Sequence, residues 1–274
     1  IYVAKNSIID VKHLKLGGPN SNDGNSSLND SGWHEEALEV QENSYATIEQ
    51  SLIEGNYGKA IELEDNSIMI LEDSIIQKNG IGSSSNYHFE AINVSRNSIF
   101  ELEESNISNE NGNAFNIYNS IVEIKNSNVT SSYSGEYKGN AVNINGGKLK
   151  FHGNSSNVIY LSAEGHPINA NNDAEISINN NISFTSGTGF SEINTSASKL
   201  YLQSSELNLD SIFLGDDSRL YFNHSYSSEI ISQLNCSSGR TVDNVRINMP
   251  GIVYLNGNNS TLIGNTSPEC IVAD

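Results

Sequence analysis

Carboxylate pairs are the residues in this 274-residue chain whose type and spacing come nearest to catalytic chemistry. Hydrolysis of a glycosidic bond needs two carboxyl groups that flank the scissile bond. Asp216 and Asp217 in "GDD" form such a pair, and the nearest histidine motif is "GHP" at Gly165. Both segments are typical of turns, and no phosphate-binding loop or nucleophile elbow accompanies them. The sequence therefore identifies no catalytic residue.

Acidic doublets are a second candidate for chemistry. They occur at Glu64-Asp65, Glu72-Asp73 and Glu103-Glu104, and we expect them to share one corner of a repeating fold. Aligned carboxylates repel one another unless a cation or a lysine lies between them, so calcium is a candidate ligand and solvated charge is the alternative. The six histidines show no metal-ligand spacing.

The two cysteines, Cys236 and Cys270, lie close to the C-terminus and are not spaced as metal ligands. We expect one disulfide between them, which would place the protein in an oxidising compartment. Two buried free thiols are the alternative.

The charge balance limits the partners. The chain has 14 Lys+Arg against 33 Asp+Glu, a formal net charge of −19. Such a surface repels nucleic acid and anionic membranes, so neither is expected as a partner. No apolar run reaches the length of a membrane span, and we expect no membrane insertion. Because the first residues, "IYVAKNSIIDV", already have a strand pattern, the chain is expected to be part of a longer protein.

One phrase returns along the chain and predicts the elements. "NSIMILEDSII" at Asn66, "NSIFELEESNI" at Asn97 and "NSIVEIKNSNV" at Asn119 share the pattern Asn-Ser-x-Φ-x-Φ-x-x-Ser-x-Φ, where Φ is apolar. Looser copies bring the total to nine between Asn6 and Ser225. A second phrase, Ala-Φ-x-Φ, precedes most copies, as in "AINV" at Ala91. All of these segments alternate with period 2, which indicates short strands.

Three short strands per repeat, separated by turns rich in Asn, Gly and Ser, predict an all-β parallel β-helix of about nine coils over residues 1–225. Asn and Ser at fixed positions are expected to form rows at the corners, where Asn tolerates left-handed backbone angles. Residues 226–274 show no repeat and are expected to cap the C-terminal end. A barrel or sandwich is the competing fold, but it requires antiparallel hairpins.

Two short segments carry a family resemblance. "GKAI" at Gly58 and "IIQKNG" at Ile75 are similar to the Gly-Gly-Ala-Ile and Phe-x-x-Asn repeats of polymorphic outer membrane proteins and related autotransported adhesins. The repeat as a whole resembles the pectin-lyase-like superfamily of single-stranded right-handed parallel β-helices, which includes phage tailspikes. The resemblance implies a surface or virion protein that recognises a host or a glycan. The Gly-His-Gly and Arg-x-Lys motifs of polygalacturonase-type enzymes are missing from this chain.

Connectors of variable length occupy one phase of the repeat, at 17–36, 54–59, 77–90, 108–113 and 130–140. Because they share a phase, we expect them to emerge along one edge of the rod. Aromatic rings beside Asn, Ser and carboxylates suit sugars and protein partners alike, although the rings could instead pack the loops onto the sheet. The candidate ligand-binding residues in these connectors are Trp33, His34, Tyr57, Tyr87, His88, Phe89, Tyr133 and Tyr137.

Outward-facing isoleucines form a second surface feature. Ile68, Ile99 and Ile121 precede the first Φ position of three consecutive repeats, and Ile70 lies beside them. An exposed aliphatic row on one sheet suggests contact with another chain, as in a homotrimer, or with the rest of a larger protein. Alternatively, a connector covers the row.

Together these features favour a non-enzymatic adhesin or receptor-binding β-helix at the cell surface, outside the cell or on a virion. Its ligand would be a cell-surface glycan or protein. The alternatives are a tailspike-type hydrolase or lyase that degrades polysaccharides, and a structural spacer in a surface protein.

Overall fold

A computed structural model of the chain describes residues 1–17, 36–55, 58–78, 90–110, 112–132, 139–153, 159–179, 182–186, 192–203, 207–214, 219–222, 230–236, 240–243, 252–255 and 261–264. Side chains are described up to residue 201, except for 183–186, and at Ile212. The described part contains no helix long and apolar enough to cross a membrane.

All the regular elements described are β-strands, numbered here along the chain. The first twelve are β1 Tyr2–Val3, β2 Ile8–Lys12, β3 Lys15–Gly17, β4 Leu38–Val40, β5 Tyr45–Glu49, β6 Leu52–Glu54, β7 Ile61–Leu63, β8 Ile68–Glu72, β9 Ile75–Gln77, β10 Ile92–Ser95, β11 Ile99–Glu103 and β12 Asn106–Asn109. The next eight are β13 Phe115–Lys125, β14 Asn128–Ser131, β15 Val142–His152, β16 Ile159–Ala163, β17 Ile168–Asn171, β18 Glu175–Asn179, β19 Ile182–Ser186 and β20 Glu192–Thr195. The last seven are β21 Lys199–Gln203, β22 Leu207–Leu214, β23 Arg219–Phe222, β24 Ile230–Cys236, β25 Arg240–Asp243, β26 Ile252–Leu255 and β27 Thr261–Gly264.

The strands pair in parallel with their counterparts in the next repeat, which gives three strand stacks. Stack 1 begins β1, β4, β7, β10 and continues through the first half of β13. Stack 2 begins β2, β5, β8, β11 and continues through the second half of β13. Stack 3 begins β3, β6, β9, β12, β14. This pairing confirms the predicted all-β fold of parallel strands and is consistent with a parallel β-solenoid.

Beyond residue 225 parallel pairing continues, since β24 pairs with β22 and β27 pairs with β23. The pair β25 and β26 is antiparallel, unlike the other strand pairs described. Neither pairing tests the predicted C-terminal cap.

The core is a column of aliphatic and aromatic side chains between the stacks. The two Φ positions of stack 2 point inward in each repeat, and they are fully buried at Ala46, Ile48, Met69, Leu71, Phe100, Leu102, Val122, Ile124, Leu149, Phe151, Ile176 and Ile178. Phe100 packs edge-on against Phe115, with ring centroids 5.6 Å apart and an interplanar angle of 73°. Only every second residue of a strand enters the core, which explains how a chain with 36% hydrophobic residues folds.

The recurring Asn-Ser pair forms the corner between stacks 1 and 2. The asparagines have a left-handed backbone, with φ from 47° to 63° at Asn6, Asn43, Asn66, Asn97 and Asn119. Asn tolerates this conformation better than other non-glycine residues because its short polar side chain can hydrogen-bond locally. Gly146 and Gly147 replace the pair at the next corner. A Cβ on Gly147 would lie 2.2 Å from the backbone carbonyl oxygen of Ser120, which is too close for any side chain.

The serines link successive repeats in two buried rows. At the Asn-Ser corner, Ser44, Ser67, Ser98 and Ser120 each accept the N–H of the serine one repeat earlier at 3.1–3.2 Å. At the corner between stacks 2 and 3, the Oγ atoms of Ser51, Ser74, Ser105 and Ser127 accept equivalent bonds at 2.9–3.0 Å. The phrase is therefore scaffold, as its corner positions predicted.

Candidate functional site

The variable connectors all join stack 3 to stack 1. In the first 142 residues they comprise 18–37, 55–60, 78–91, 110–114 and 132–141. The linkers from stack 2 to stack 3, in contrast, always comprise two residues: 13–14, 50–51, 73–74, 104–105 and 126–127. Because the stack 1 strands pair in register, the connectors return to the scaffold at equivalent positions. Over these five repeats the length varies at the connectors and not between stacks 2 and 3, whereas the next linker between stacks 2 and 3, residues 153–158, is longer.

An alanine row marks the point of return. Ala60, Ala91, Ala114 and Ala141 are fully buried, and each directly precedes a stack 1 strand, namely β7, β10, β13 and β15. Their backbones are bonded from repeat to repeat, with Ala60 N–H donating to Ala91 O at 2.8 Å and Ala91 N–H to Asn113 O at 3.1 Å. Because these alanines are buried and their backbones are bonded between repeats, each connector ends at a fixed position.

Directly beside this row lies a polar row that faces away from the core. In register it comprises Glu39, Glu62, Asn93, Asn116, Asn143, Asn169 and Asn194, of which the first five are the third residue of an Ala-Φ-x-Φ segment. Although they face outward, Glu62, Asn93 and Asn116 are only 8–9% exposed. The connector side of stack 1 is therefore largely covered, unlike an ordinary solvated sheet face.

The amides of this row donate in one direction. Asn194 Nδ2 donates to Asn169 Oδ1 at 2.7 Å, Asn169 Nδ2 to Asn143 Oδ1 at 2.8 Å, and Asn143 Nδ2 to Asn116 Oδ1 at 3.1 Å. Asn93 Nδ2 donates to Glu62 Oε1 at 2.5 Å, while Asn93 Oδ1 is buried and accepts no hydrogen bond from a described residue. A carboxylate accepts hydrogen bonds but does not donate them. Glu62 therefore suits the position that receives the amide N–H of Asn93.

Lys59 forms a charged cluster with Glu62 and Glu90 at that end. Its Nζ contacts Glu62 Oε2 and lies 3.6 Å from Glu90 Oε1. All three side chains are mostly buried. Since Lys59 and Glu90 are the last residues before the alanines of two different connectors, the cluster ties those connectors together.

The buried charges shift the pKa values of the cluster. Burial raises the pKa of Glu90, and the attraction of Lys59 opposes only part of that rise. Burial alone would lower the pKa of Lys59, but the bond to Glu62 and the neighbouring carboxylates raise it overall. Burial, followed by the charge of Glu36, also raises the pKa of Glu39. This edge of stack 1 therefore holds more negative charge than one lysine compensates.

Further along, Asn113 and Asn140 stand in place of the charged cluster. Asn113 Oδ1 accepts the N–H of Asn140, and Asn140 Oδ1 accepts the N–H of His166, both at 2.8 Å. His166 Nδ1 in turn lies 3.6 Å from Glu192 Oε1. These contacts fix the returning ends of consecutive connectors to one another.

Glu62 is held in place by both of its neighbours. Both oxygens of Glu62 accept hydrogen bonds, so it is not free to act as a general base or nucleophile. Within the described ranges no group of three or more His, Cys, Asp or Glu is arranged to hold a metal ion.

The acidic doublets do not all share a corner, and that expectation is wrong for Glu64-Asp65. This doublet follows β7 at the corner between stacks 1 and 2, where Arg96 Nη1 lies 2.9 Å from Glu64 and 3.3 Å from Asp65. Glu72-Asp73 and Glu103-Glu104 do share the corner between stacks 2 and 3, with Glu72 and Glu103 in register. Glu64-Asp65 follows an Ala-Φ-x-Φ phrase, whereas the other two doublets lie within Asn-Ser phrases.

The predicted ligand-binding residues, Trp33, His34, Tyr57, Tyr87, His88, Phe89, Tyr133 and Tyr137, lie outside the described residues. The same holds for Asp216, Asp217, Cys270 and the side chain of Cys236. Ile68 and Ile99 are each 37% exposed, and Ile70 and Ile121 are half-buried. The described residues therefore cover the isoleucine row only in part.

The buried polar row was missed in the sequence, although its signal is present. The x of Ala-Φ-x-Φ is always Glu or Asn, from "ALEV" and "AIEL" to "AINV", "AFNI" and "AVNI". A position that alternates with core residues is ordinarily assigned to solvent, where any polar residue serves. The restriction of this position to Glu and Asn indicated that its side chains make specific hydrogen bonds.

Comparisons with protein-family models, with curated proteins and with solved structures gave no significant match.

Proposed function

We propose that the protein is a non-enzymatic recognition module, an extracellular adhesin or receptor-binding β-helix that binds a glycan or a host-surface protein through its connectors. The observation that supports it is the large variation in connector length over the first five repeats, above a fixed base of alanines and buried amides. Variable loops on a rigid scaffold are the usual arrangement of a binding surface. As part of this proposal, the fold is a right-handed β-helix of about nine coils, of the pectin-lyase-like type.

The composition of the connectors favours a glycan or a polar protein surface. Their sequences combine Trp33, Tyr87 and Tyr137 with many Asn and Ser residues. Aromatic rings pack on the apolar faces of sugar rings, and amides and hydroxyls bond to sugar hydroxyl groups. The net charge of −19 disfavours strongly anionic ligands.

Binding to a glycan array and to host cells tests this proposal. We expect Trp33→Ala/Tyr87→Ala/Tyr137→Ala to lose at least tenfold in affinity, since aromatic anchors dominate such interfaces. The matched control is Tyr118→Ala/Tyr160→Ala, because these tyrosines are 40% and 51% exposed on strands β13 and β16, outside the connectors. Equal binding by both variants would refute the assignment to the connectors.

A panel of polysaccharides separates this proposal from the enzymatic alternative. We expect the full chain to release neither reducing ends nor unsaturated products. Release that survives purification would show a hydrolase or a lyase instead. Failure to bind any glycan or cell would contradict the recognition role and favour the structural spacer.

A further inference from the structure

An apolar stripe crosses stack 2 on the outer face of the solenoid. Five consecutive strands contribute one residue each, in register: Ile8, Tyr45, Ile68, Ile99 and Ile121. Ile8 is 80% exposed, and Ile68 and Ile99 are 37% exposed. At a strand spacing of about 4.8 Å, the stripe is about 19 Å long.

The stripe ends abruptly. The next positions of the same row are Lys148, Glu175 and Lys199, where Glu175 lies 2.8 Å from Lys148 and 3.2 Å from Lys199. Outward positions of a solvated sheet are normally polar, as they are here. The apolar character therefore belongs to the stripe alone, and a contiguous apolar surface with a polar rim marks an interaction site.

Unpaired carboxylates flank the stripe at the far end of the same strands. Glu72, Asp73, Glu103 and Glu104 form no salt bridge with any described residue, although Lys125 is the register neighbour of Glu103 and attracts its charge. Other carboxylates of stack 2 do form salt bridges. Those that do are Glu49 with Lys12, Glu101 with Lys125 and Glu123 with Lys150. Glu72 is the fourth residue after Ile68, a distance of about 13 Å along an extended strand.

We infer that this face binds a cationic amphipathic helix of another protein. A helix that follows the stripe for about 19 Å has about 13 residues. Its apolar side would cover the stripe and Ile70, and its Lys or Arg side chains would reach the unpaired carboxylates. Long cationic side chains extend over apolar surface in this way.

Charge argues against a second copy of this chain as the occupant. The chain carries a net charge of −19, and a symmetric contact with the strands of the two copies parallel would bring two sets of unpaired carboxylates close together. Like charges across an interface disfavour association. A cationic partner, in contrast, is attracted by the same groups.

Fluorescence anisotropy of the full chain with a labelled 14-residue peptide tests the inference. The peptide has Leu on one helical face and Lys on the other, and a shuffled peptide of the same composition lacks the apolar face. We expect saturable binding of the first peptide alone, weakened by added salt. Absence of saturable binding, or equal binding of the shuffled peptide, would overturn the inference.

Two pairs of variants locate the site. Ile68→Thr/Ile99→Thr should weaken binding at least fivefold, while Ile75→Thr should not, because Ile75 is 44% exposed but lies in stack 3. Glu72→Gln/Glu103→Gln should weaken binding several-fold, and the charge-matched Glu110→Gln/Glu164→Gln should not. Thr retains strand propensity, and unchanged melting temperatures would exclude misfolding. Equal loss in test and control variants would contradict the site.

Binding through the connectors and self-association through the stripe are each tested by one further measurement. The variant Trp33→Ala/Tyr87→Ala/Tyr137→Ala should bind the peptide as the parent chain does, since the stripe does not include the connectors. In sedimentation without peptide we expect a monomer. A dimer that Ile68→Thr/Ile99→Thr dissociates would identify the stripe as a self-interface and overturn the inference.

Discussion

Replacement of Ser74 by Ala should break one link between successive repeats. Ser74 is 2% exposed, and its Oγ accepts the Ser51 N–H at 3.0 Å and donates to Glu72 O at 2.7 Å. Without the hydroxyl group the buried Ser51 N–H has no acceptor. A buried donor without a partner costs about 1–3 kcal/mol.

The second bond of Ser74 adds little to that cost. Glu72 O also accepts the Gln50 N–H at 3.0 Å, so it remains bonded after the substitution. We therefore expect Ser74→Ala to lower the free energy of unfolding by about 2 kcal/mol. Ser108→Ala is the matched control, because Ser108 lies on β12 and is only half-buried.

Urea unfolding and hydrogen exchange together measure this effect. Urea gives the free energy of unfolding, and exchange in a peptide that spans Ser51 reports the local opening expected in a repeat protein. Faster exchange at Ser51 with little change in distant repeats would support the serine link. Equal stability and exchange in Ser74→Ala and Ser108→Ala would refute it.

Three further predictions concern the corner, the alanine row and the charged cluster. Asn66→Ala should cost about 1 kcal/mol in urea unfolding and Asn66→Gly less, since φ is 59° at this residue; equal costs would contradict a conformational role. Ala91→Leu should cost about 1–3 kcal/mol in thermal unfolding, because Ala91 is fully buried; an unchanged melting temperature would show that the row has free space. Because the pKa of Glu90 is raised in the folded state, its favourable contribution is present below the ordinary glutamate pKa of about 4.3 and is lost as pH rises through the folded pKa. Glu90→Gln should therefore flatten the fall in stability over that pH range; a pH profile identical to that of the parent chain would contradict the burial of Glu90.

The strand pattern could be predicted because it depends on local rules. Alternation of apolar and polar residues around Met69 and Leu71 determines which side chains enter the core. The same phrase in the same phase favours parallel pairing over hairpins. Asn66 at a left-handed corner follows from backbone sterics, which act within a single residue.

The candidate site was less accessible to prediction. The sequence predicted one variable edge, but not the base beneath it, because Lys59, Glu62 and Glu90 meet only when different repeats are stacked. The sequence pattern places Asn93 on the outward side of its strand, and its burial depends on what covers stack 1. The acidic doublets were assigned to one corner because the sequence does not show which corner each phrase occupies.

By itself, the sequence determined the repeat, its inward-facing residues and the phase at which its length varies, since each depends on spacing along the chain. Only the tertiary structure decided which side chains become neighbours across repeats, because register sets those contacts. Register aligns Ile68 with Ile99 in an exposed stripe and Glu72 with Glu103 without a described cation between them. It also places Lys59 between two carboxylates from different positions in the chain.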